Sequence, residues 1–497
     1  PCKIISISSL TGACRAHAYR SWAGAYKKSQ DKKGGLVSLR RAPGLCEWKK
    51  PCVSKTLSRS KTCHPSASSS DLLCNFQKAS LINSRIQSTM GRLKESDPLF
   101  ELVLKWILSS EWDMTLTLRE ALERCEALIA SHIKNPLGSE LSRKCPGIGK
   151  FFMELPLTKA LDYIGQKVAV EQRKYVPPTF SEVRQIFNIA QVYALKSRAK
   201  LMTFDADDTL YEHGMDLEPS SWLVDALLTL MERGIYVAVV TAAGYPGKPD
   251  RYAARFRGLL ERMQEKKSPS SVTRMFFCVG GECNYLFRIN PDYRMEEVDP
   301  DAFYTETMKS WKHDDIEELL NVAEAALKES CSRMRLDVQF LRKARAVGCY
   351  PTRAEDRIAY EALEDVALAV QDKLMHYSEG RGVVPFCAFN GNRDVWVDVG
   401  DKRYGIEALL HYLSIEGEAT CHMGDRFTLT GNDKSSRAVA NTVWVTNPSE
   451  TEEYLELFLR DTGDESCVRC ADSRPKGPKQ GTIEWHKAQI IQNNTSA

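Results

Sequence analysis

A short apolar strand, Leu201-Met202-Thr203-Phe204, runs straight into the carboxylates of Asp205, Asp207 and Asp208, with Thr209-Leu210 behind them. A second apolar run from Ile235 to Val240 ends on Thr241, and the segment between, Trp222 to Arg233, has helical spacing. Strand, helix and strand in this order make a right-handed βαβ unit, which brings both strand ends to one edge of a parallel sheet. The chain is thereby restricted to an α/β fold with its polar chemistry at that edge. Asp205, fixed by the strand end, can attack a phosphorus atom in line. Asp207 can then protonate the departing oxygen, and an acidic cradle of this kind suits Mg2+. For the DxD pair alone, an acidic loop after a buried strand is the commonplace alternative, so partners elsewhere in the chain decide.

Three such partners follow in order. Thr241, at its strand end, can donate to a phosphate oxygen. Lys402 opens a helical pattern after Asp394-Val395-Trp396-Val397-Asp398-Val399-Gly400-Asp401 and can clamp nucleophile and phosphate by charge, although a lone lysine is usually a solvated one. Gly424-Asp425 ends another strand and Asn432-Asp433 comes eight residues later, which suits metal ligation by Asp425 and support from Asp433. Each element alone is common. Together and in this order they resemble the phosphatases of the haloacid-dehalogenase superfamily, which implies a Rossmann-like core. About 160 residues separate Thr241 from Lys402, resembling the branch of that superfamily with a large α/β cap inserted between the second and third motifs. Within the insert, strands are expected at Met275–Gly280 and Val384–Phe389, and helices at Ile316–Lys328 and Arg357–Met375.

Composition divides the rest. The 497 residues carry a net charge of only +3, yet residues 1–90 hold 16 Lys/Arg against three acids, a net +13, and the remainder is −10. The basic arm is Ser-rich and lacks periodicity, so it cannot bury enough apolar surface to order itself. It reads as an organelle transit segment or as translated sequence upstream of the functional start, since the chain opens on Pro1 and Met90 precedes the first globular pattern. Nucleic acid and membrane are not expected partners, because aromatic interleaving is sparse and no apolar run approaches the ~20 residues of a transmembrane helix. The 16 cysteines are scattered, and Cys467 and Cys470 form a CxxC without a companion pair; reduced thiols and a cytoplasmic setting follow, with organelle import if the arm is a true transit segment.

From Asp97-Pro98 the pattern becomes amphipathic helix, continuing at Leu116–Ser131 and Leu157–Tyr175. After Pro177-Pro178, Thr179 and Glu182 form a capping box for a helix to Arg198. The expected organisation is an all-helical N-terminal unit over 91–198, a catalytic core over 199–250 and 390–462, a cap over 251–389 and a loose tail over 463–497.

Four segments sharpen the resemblance. Phe204-Asp205-Ala206-Asp207-Asp208-Thr209-Leu210-Tyr211, Gly280-Gly281-Glu282-Cys283-Asn284-Tyr285-Leu286-Phe287, Asp394-Val395-Trp396-Val397-Asp398 and Gly424-Asp425-Arg426-Phe427-Thr428-Leu429-Thr430-Gly431-Asn432-Asp433 resemble the IMP-specific 5′-nucleotidase family over roughly residues 95–460. The resemblance implies Mg2+-dependent hydrolysis of inosine 5′-monophosphate to inosine and phosphate, by a homotetramer that ATP activates through its N-terminal helices. It further implies Asp205 as nucleophile and Asp207 as general acid and then base. Asp205 and Asp425 would bind Mg2+ by side chain and Asp207 by its carbonyl, with Asp433 behind them. Thr241 and Lys402 would hold the phosphate, and Asp394 and Asp398 would face the nucleoside. In two places the chain departs from the family pattern: Glu212-His213 stands where an Asp often helps hold substrate, and Gln185 stands where the effector-site histidine aligns. A capped sugar-phosphate phosphatase or phosphomutase remains the alternative enzyme, because the segment from Lys402 to Leu409 also resembles their third motif, and a non-catalytic nucleotide sensor is the alternative of another class.

Overall fold

The computed structural model describes residues 96–108, 116–353, 355–379 and 384–460. The basic arm, the CxxC pair and the expected tail lie outside the described residues. Strands β1 (Leu201–Phe204), β2 (Tyr236–Val240), β3 (Phe276–Gly280), β4 (Tyr285–Ile289), β5 (Met295–Val298), β6 (Val338–Lys343), β7 (Ala346–Pro351), β8 (Phe386–Asn390), β9 (Val395–Val399), β10 (Thr420–Gly424) and β11 (Asn441–Trp444) form two sheets. The larger has the order β11-β10-β1-β2-β3-β4-β5. Its first five strands are parallel and its last three are joined antiparallel. β1, β3 and β10 are buried along their whole length, as continuous apolar runs must be where both faces of a parallel sheet are covered. β1 lies at the centre, with Phe204 beside Met423 of β10 and Val239 of β2, so that Asp205, Asp425 and Thr241 all emerge at one edge.

The principal helices are α1 (Pro98–Leu108), α2 (Leu118–Lys134), α3 (Leu157–Gly165), α4 (Phe180–Leu195), α5 (Trp222–Glu232), α6 (His313–Arg333), α7 (Tyr360–Ser378), α8 (Lys402–Leu413) and α9 (Pro448–Leu459). The first four form the helical unit and share one apolar core with the sheet. Asp97 caps α1 by accepting from Leu99 N at 2.9 Å, and the capping box at α4 is present, with Glu182 N donating to Thr179 Oγ1 at 3.2 Å and Thr179 N to Glu182 Oε2 at 2.8 Å. α3 stops at Gly165, about ten residues before the expected Tyr175, and the segment up to Thr179 consists of turns and bends.

The cap boundaries differ from those read in the sequence. Met275–Gly280 was expected inside the cap; Phe276–Gly280 is instead β3 of the main sheet, parallel to β2. Residues 395–399, assigned to the core, are β9, an inner strand of the four-stranded antiparallel cap sheet β6-β7-β9-β8. Apolar periodicity identifies a buried strand but not the sheet that buries it, and both sheets supply the same environment. α6 and α7 cover the cap sheet around a separate core that includes Leu320, Val347, Val366 and Val397.

Gly405 lets α8 approach the Glu282 turn: a Cβ there would lie 2.3 Å from Glu282 O. Gly405→Ala is expected to cost about 1–3 kcal/mol by overpacking, measured as a lower midpoint in denaturant unfolding.

Candidate active site

At the edge of the main sheet one lysine side chain is completely buried. Lys402, at the start of α8, places Nζ 2.7 Å from Asp205 Oδ1 and 2.6 Å from Asp433 Oδ1. Asp205 Oδ1 also accepts from Ala206 N at 2.7 Å. Asp433 is fully engaged: His422 Nε2 lies 2.8 Å from Oδ1, Arg426 N donates to Oδ2 at 2.8 Å, and His422 Nδ1 reaches Thr203 Oγ1 at 2.9 Å. Gly424 makes room for this carboxylate, since a Cβ there would stand 2.3 Å from its Cγ. Burial by itself would raise Asp433, but Lys402 and the His422 ring hold it well below the usual carboxylate range. Asp205 is pushed up by burial despite Lys402, and Asp425 by burial despite Arg426. Lys402 stays protonated because Asp205, Asp433 and Glu282 together outweigh its own burial.

Carboxyls outnumber cations here. Oxygens of Asp205, Asp425 and Asp433 all lie within 4.8 Å of one another, as in a metal site. Asp425 Oδ1 is buried without a hydrogen-bond partner, while both oxygens of Asp433 are consumed by Lys402, His422 and Arg426. The residues therefore fit a divalent cation, with Asp205 and Asp425 as the carboxylates available to it and Asp433 as the anchor behind them.

The other expected residues divide between core and cap. Asp207 is half-buried and accepts from Gly214 N through Oδ1 at 2.7 Å. Thr241 is buried at the end of β2, with Ala243 N donating to Oγ1 at 3.2 Å and Glu282 N to its carbonyl at 2.9 Å. Asp394 immediately precedes β9 and Asp398 lies within it, so both belong to the cap sheet, not to the core. Asp398 is buried with Oδ2 unpartnered, and burial lifts its pKa to about 7 against the pull of Lys343. His213 donates its backbone N–H to Asp208 Oδ1 at 3.1 Å. Gln185 sits half-exposed on α4.

Several residues were not singled out from sequence. Glu282 is buried in a left-handed conformation, φ 64°, with Asn432 Nδ2 donating to Oε1 at 2.8 Å and Oε2 unpartnered. Burial pushes it well up. Its signal was its place behind two glycines. The cap seats on the core through Asn392, at the tip of the β8–β9 hairpin, which donates Nδ2 to Asp208 Oδ2 at 3.0 Å, and through Arg426 Nη1, which donates to Asn390 O. Glu364 of α7 accepts from Asn390 Nδ2 at 3.0 Å and from Thr430 Oγ1 at 2.6 Å. A cavity of about 280 Å3 opens beside these contacts, lined by Asp208, Asp425, Arg426, Asn392 and Tyr360 and by Ser181 and Arg184 of α4.

The family model for IMP-specific 5′-nucleotidase matches residues 110–455. IMP-specific 5′-nucleotidase 1 of Schizosaccharomyces pombe is 37% identical over 356 residues, 69% of this chain and 87% of its own length. That of Neurospora crassa is 39% identical over 358 residues, 68% and 83%. Among solved structures, the N-terminally truncated, IMP-bound Plasmodium falciparum IMP-nucleotidase is similar with a TM-score of 0.67 and 33% identity, over 74% of this chain and 97% of that one. The ATP-bound P. falciparum IMP-nucleotidase is similar with a TM-score of 0.65 and 33% identity, over 77% and 88%. The fold is thus that of a haloacid-dehalogenase-like phosphatase, for which a divalent metal is implied.

Lys402→Met should lower stability by about 3–5 kcal/mol in denaturant unfolding, because Asp205 and Asp433 would be left buried without their cation. For Asp398 the folded pKa is raised, so the folded state retains a proton that the unfolded chain loses. Its contribution is complete below about pH 4 and fades as pH rises to about 7. Asp398→Asn should therefore flatten the decline in stability of the chelator-treated protein across that window, followed by thermal melting at stepped pH.

Proposed function

The chain belongs to the IMP-specific 5′-nucleotidase family, and from that premise we propose that it hydrolyses inosine 5′-monophosphate to inosine and phosphate. It is accordingly an enzyme of the phosphoric monoester hydrolase class. The observation that carries the mechanism is the buried Lys402 joining Asp205 to Asp433 beside the unpartnered oxygen of Asp425. With Asp205 Oδ1 held by Lys402 and Ala206 N, we assign Oδ2 as the attacking atom. Attack on phosphorus forms an aspartyl-phosphate, and the 5′-oxygen leaves as inosine, taking a proton from Asp207. Asp207 then removes a proton from water, whose oxygen attacks the same phosphorus, and phosphate departs with Asp205 restored. Thr241 and Lys402 hold the phosphate oxygens, and the fixed charge of Lys402 needs no rearrangement as negative charge moves. Mg2+ held by the side chains of Asp205 and Asp425 and the carbonyl of Asp207 would, when bound, offset the phosphate charge.

Asp394 and Asp398 face the nucleoside in this reading, and the cap contacts from Asn392 and Arg426 exclude water from the phosphoryl group. ATP acts as an effector through the helical unit, with Gln185 near its site, and the active assembly is a homotetramer. The P. falciparum relative bound to ATP supports the effector. No helix among the described residues is long and apolar enough to cross a membrane, and a cytoplasmic setting is part of this proposal.

The test is a panel of IMP, GMP, AMP and hexose phosphates at fixed Mg2+, with and without ATP. IMP should be the preferred substrate and ATP should raise its turnover. Hydrolysis of hexose phosphates with IMP ignored would overturn the reading. In the same assay Asp205→Asn should lose roughly a thousand-fold or more in kcat, because the attacking atom itself is removed.

A further inference from the structure

Trp444 closes β11, the edge strand of the main sheet. Its side chain is buried among Phe100, Phe180 and Phe427, at ring separations of 6.2, 5.7 and 6.0 Å. Apolar packing of this kind makes no use of the indole N–H. That group instead donates to the backbone carbonyl of Asp425 at 2.9 Å. The next residue, Val445, donates its N–H to the carbonyl of Gly424 at 2.9 Å. Two successive carbonyls in the turn that carries the Asp425 carboxylate are therefore held by two successive residues at the end of β11.

Trp444 is itself held from the helical unit. Asn188 of α4 accepts from Trp444 N through Oδ1 at 3.0 Å and donates from Nδ2 to Trp444 O at 2.6 Å. The amide side chain thus makes the pair of bonds that a further strand would have made to this edge. Arg184, one turn earlier, donates Nη1 to the same carbonyl while Nη1 and Nη2 each pair with Glu450 of α9 at 2.7 Å. Asn188 and Arg184 are each 3% exposed, so these bonds are made out of water, where a lost one is expensive.

We propose that Trp444 is a positioning residue for the metal carboxylate: Asn188 and Arg184 fix Trp444, Trp444 fixes the Asp425 turn, and the seating of α4 thereby sets the metal affinity of the site. The inference rests on the reading of Asp425 as a metal ligand. It gives the helical unit a physical route to the chemistry that does not require any of its residues to touch substrate.

The experiment is titration of the full chain with Mn2+ by isothermal calorimetry, paired with kinetics at varied metal and with melting in chelator. Trp444→Phe keeps an aromatic ring and deletes the N–H. It should raise the Mn2+ dissociation constant roughly ten-fold, with kcat recovering at saturating metal and KM for IMP unchanged. Asn188→Ala should shift the constant in the same direction by a smaller factor, and it decides the matter if Trp444→Phe does not fold. A residue that only fills the core would lower the melting temperature in chelator and leave the constant unmoved, and that result overturns the proposal. Asp425→Asn is the control. If it loses Mn2+ binding while the other two variants keep the parent constant, the coupling is wrong and the metal reading stands; if it binds like the parent, the metal reading fails and the coupling with it.

Discussion

One ammonium group organises the catalytic edge of this protein. Lys402 Nζ is sealed from solvent between Asp205 and Asp433, and each neighbouring feature follows from the need to keep that charge satisfied. Burying a lysine is tolerable only if its protons find acceptors. Asp433 can act as one because His422 and the Arg426 amide fix its orientation, and Gly424 leaves it the space. Asp205 can act as the other because β1 ends where it does, with its amide bonded to Met423 O at 2.8 Å. Asp205, Asp425 and Glu282 then leave the edge with more carboxyl groups than cations, and a divalent cation seated there would favour their ionised forms.

The acid pair of β1, the hydroxyl of β2, the lysine of α8 and the two acids after β10 were legible because each is local: a strand run, a reactive side chain at its end, a fixed spacing. The capping box of Thr179 and Glu182 was legible for the same reason. The division between core and cap was not. Residues 276–280 and 395–399 are apolar runs of the same length, and only pairing partners far away in sequence decide that one joins β2 and the other joins β7 and β8. The burial of Glu282 had no local mark beyond its place behind two glycines, because a single glutamate in a turn carries no period. Its burial is created by Asn432 and the approach of Gly405, both remote. Asn188 and Arg184 were hidden in another way. On a helix they read as ordinary polar positions, and nothing local says that the edge of β11 waits beside them.

Polar contacts join the cap to the core, and Trp311 packs against the hydrophobic clusters of both, an arrangement that suits a part that must admit and release a nucleotide. Its own hydrophobic cluster is separate, while Asn392, Glu364 and Arg426 supply directional bonds at its edge. Such bonds can be exchanged for bonds to water at little net cost, whereas separating an interdigitated apolar interface could not be so compensated.

The central strand has one neighbour, β2, made soon after it, and another, β10, made near the end of the described chain. Lys402 likewise precedes Asp433 in order of synthesis. A nascent chain that has not yet passed residue 433 lacks β11 and the second acceptor for this lysine, and α4 has no Trp444 to hold. The charges that define the catalytic edge are therefore complete only when the last strands arrive, so a protein cut short before them leaves Asn188 and Arg184 without the strand edge they hold and Lys402 with one of its two acceptors.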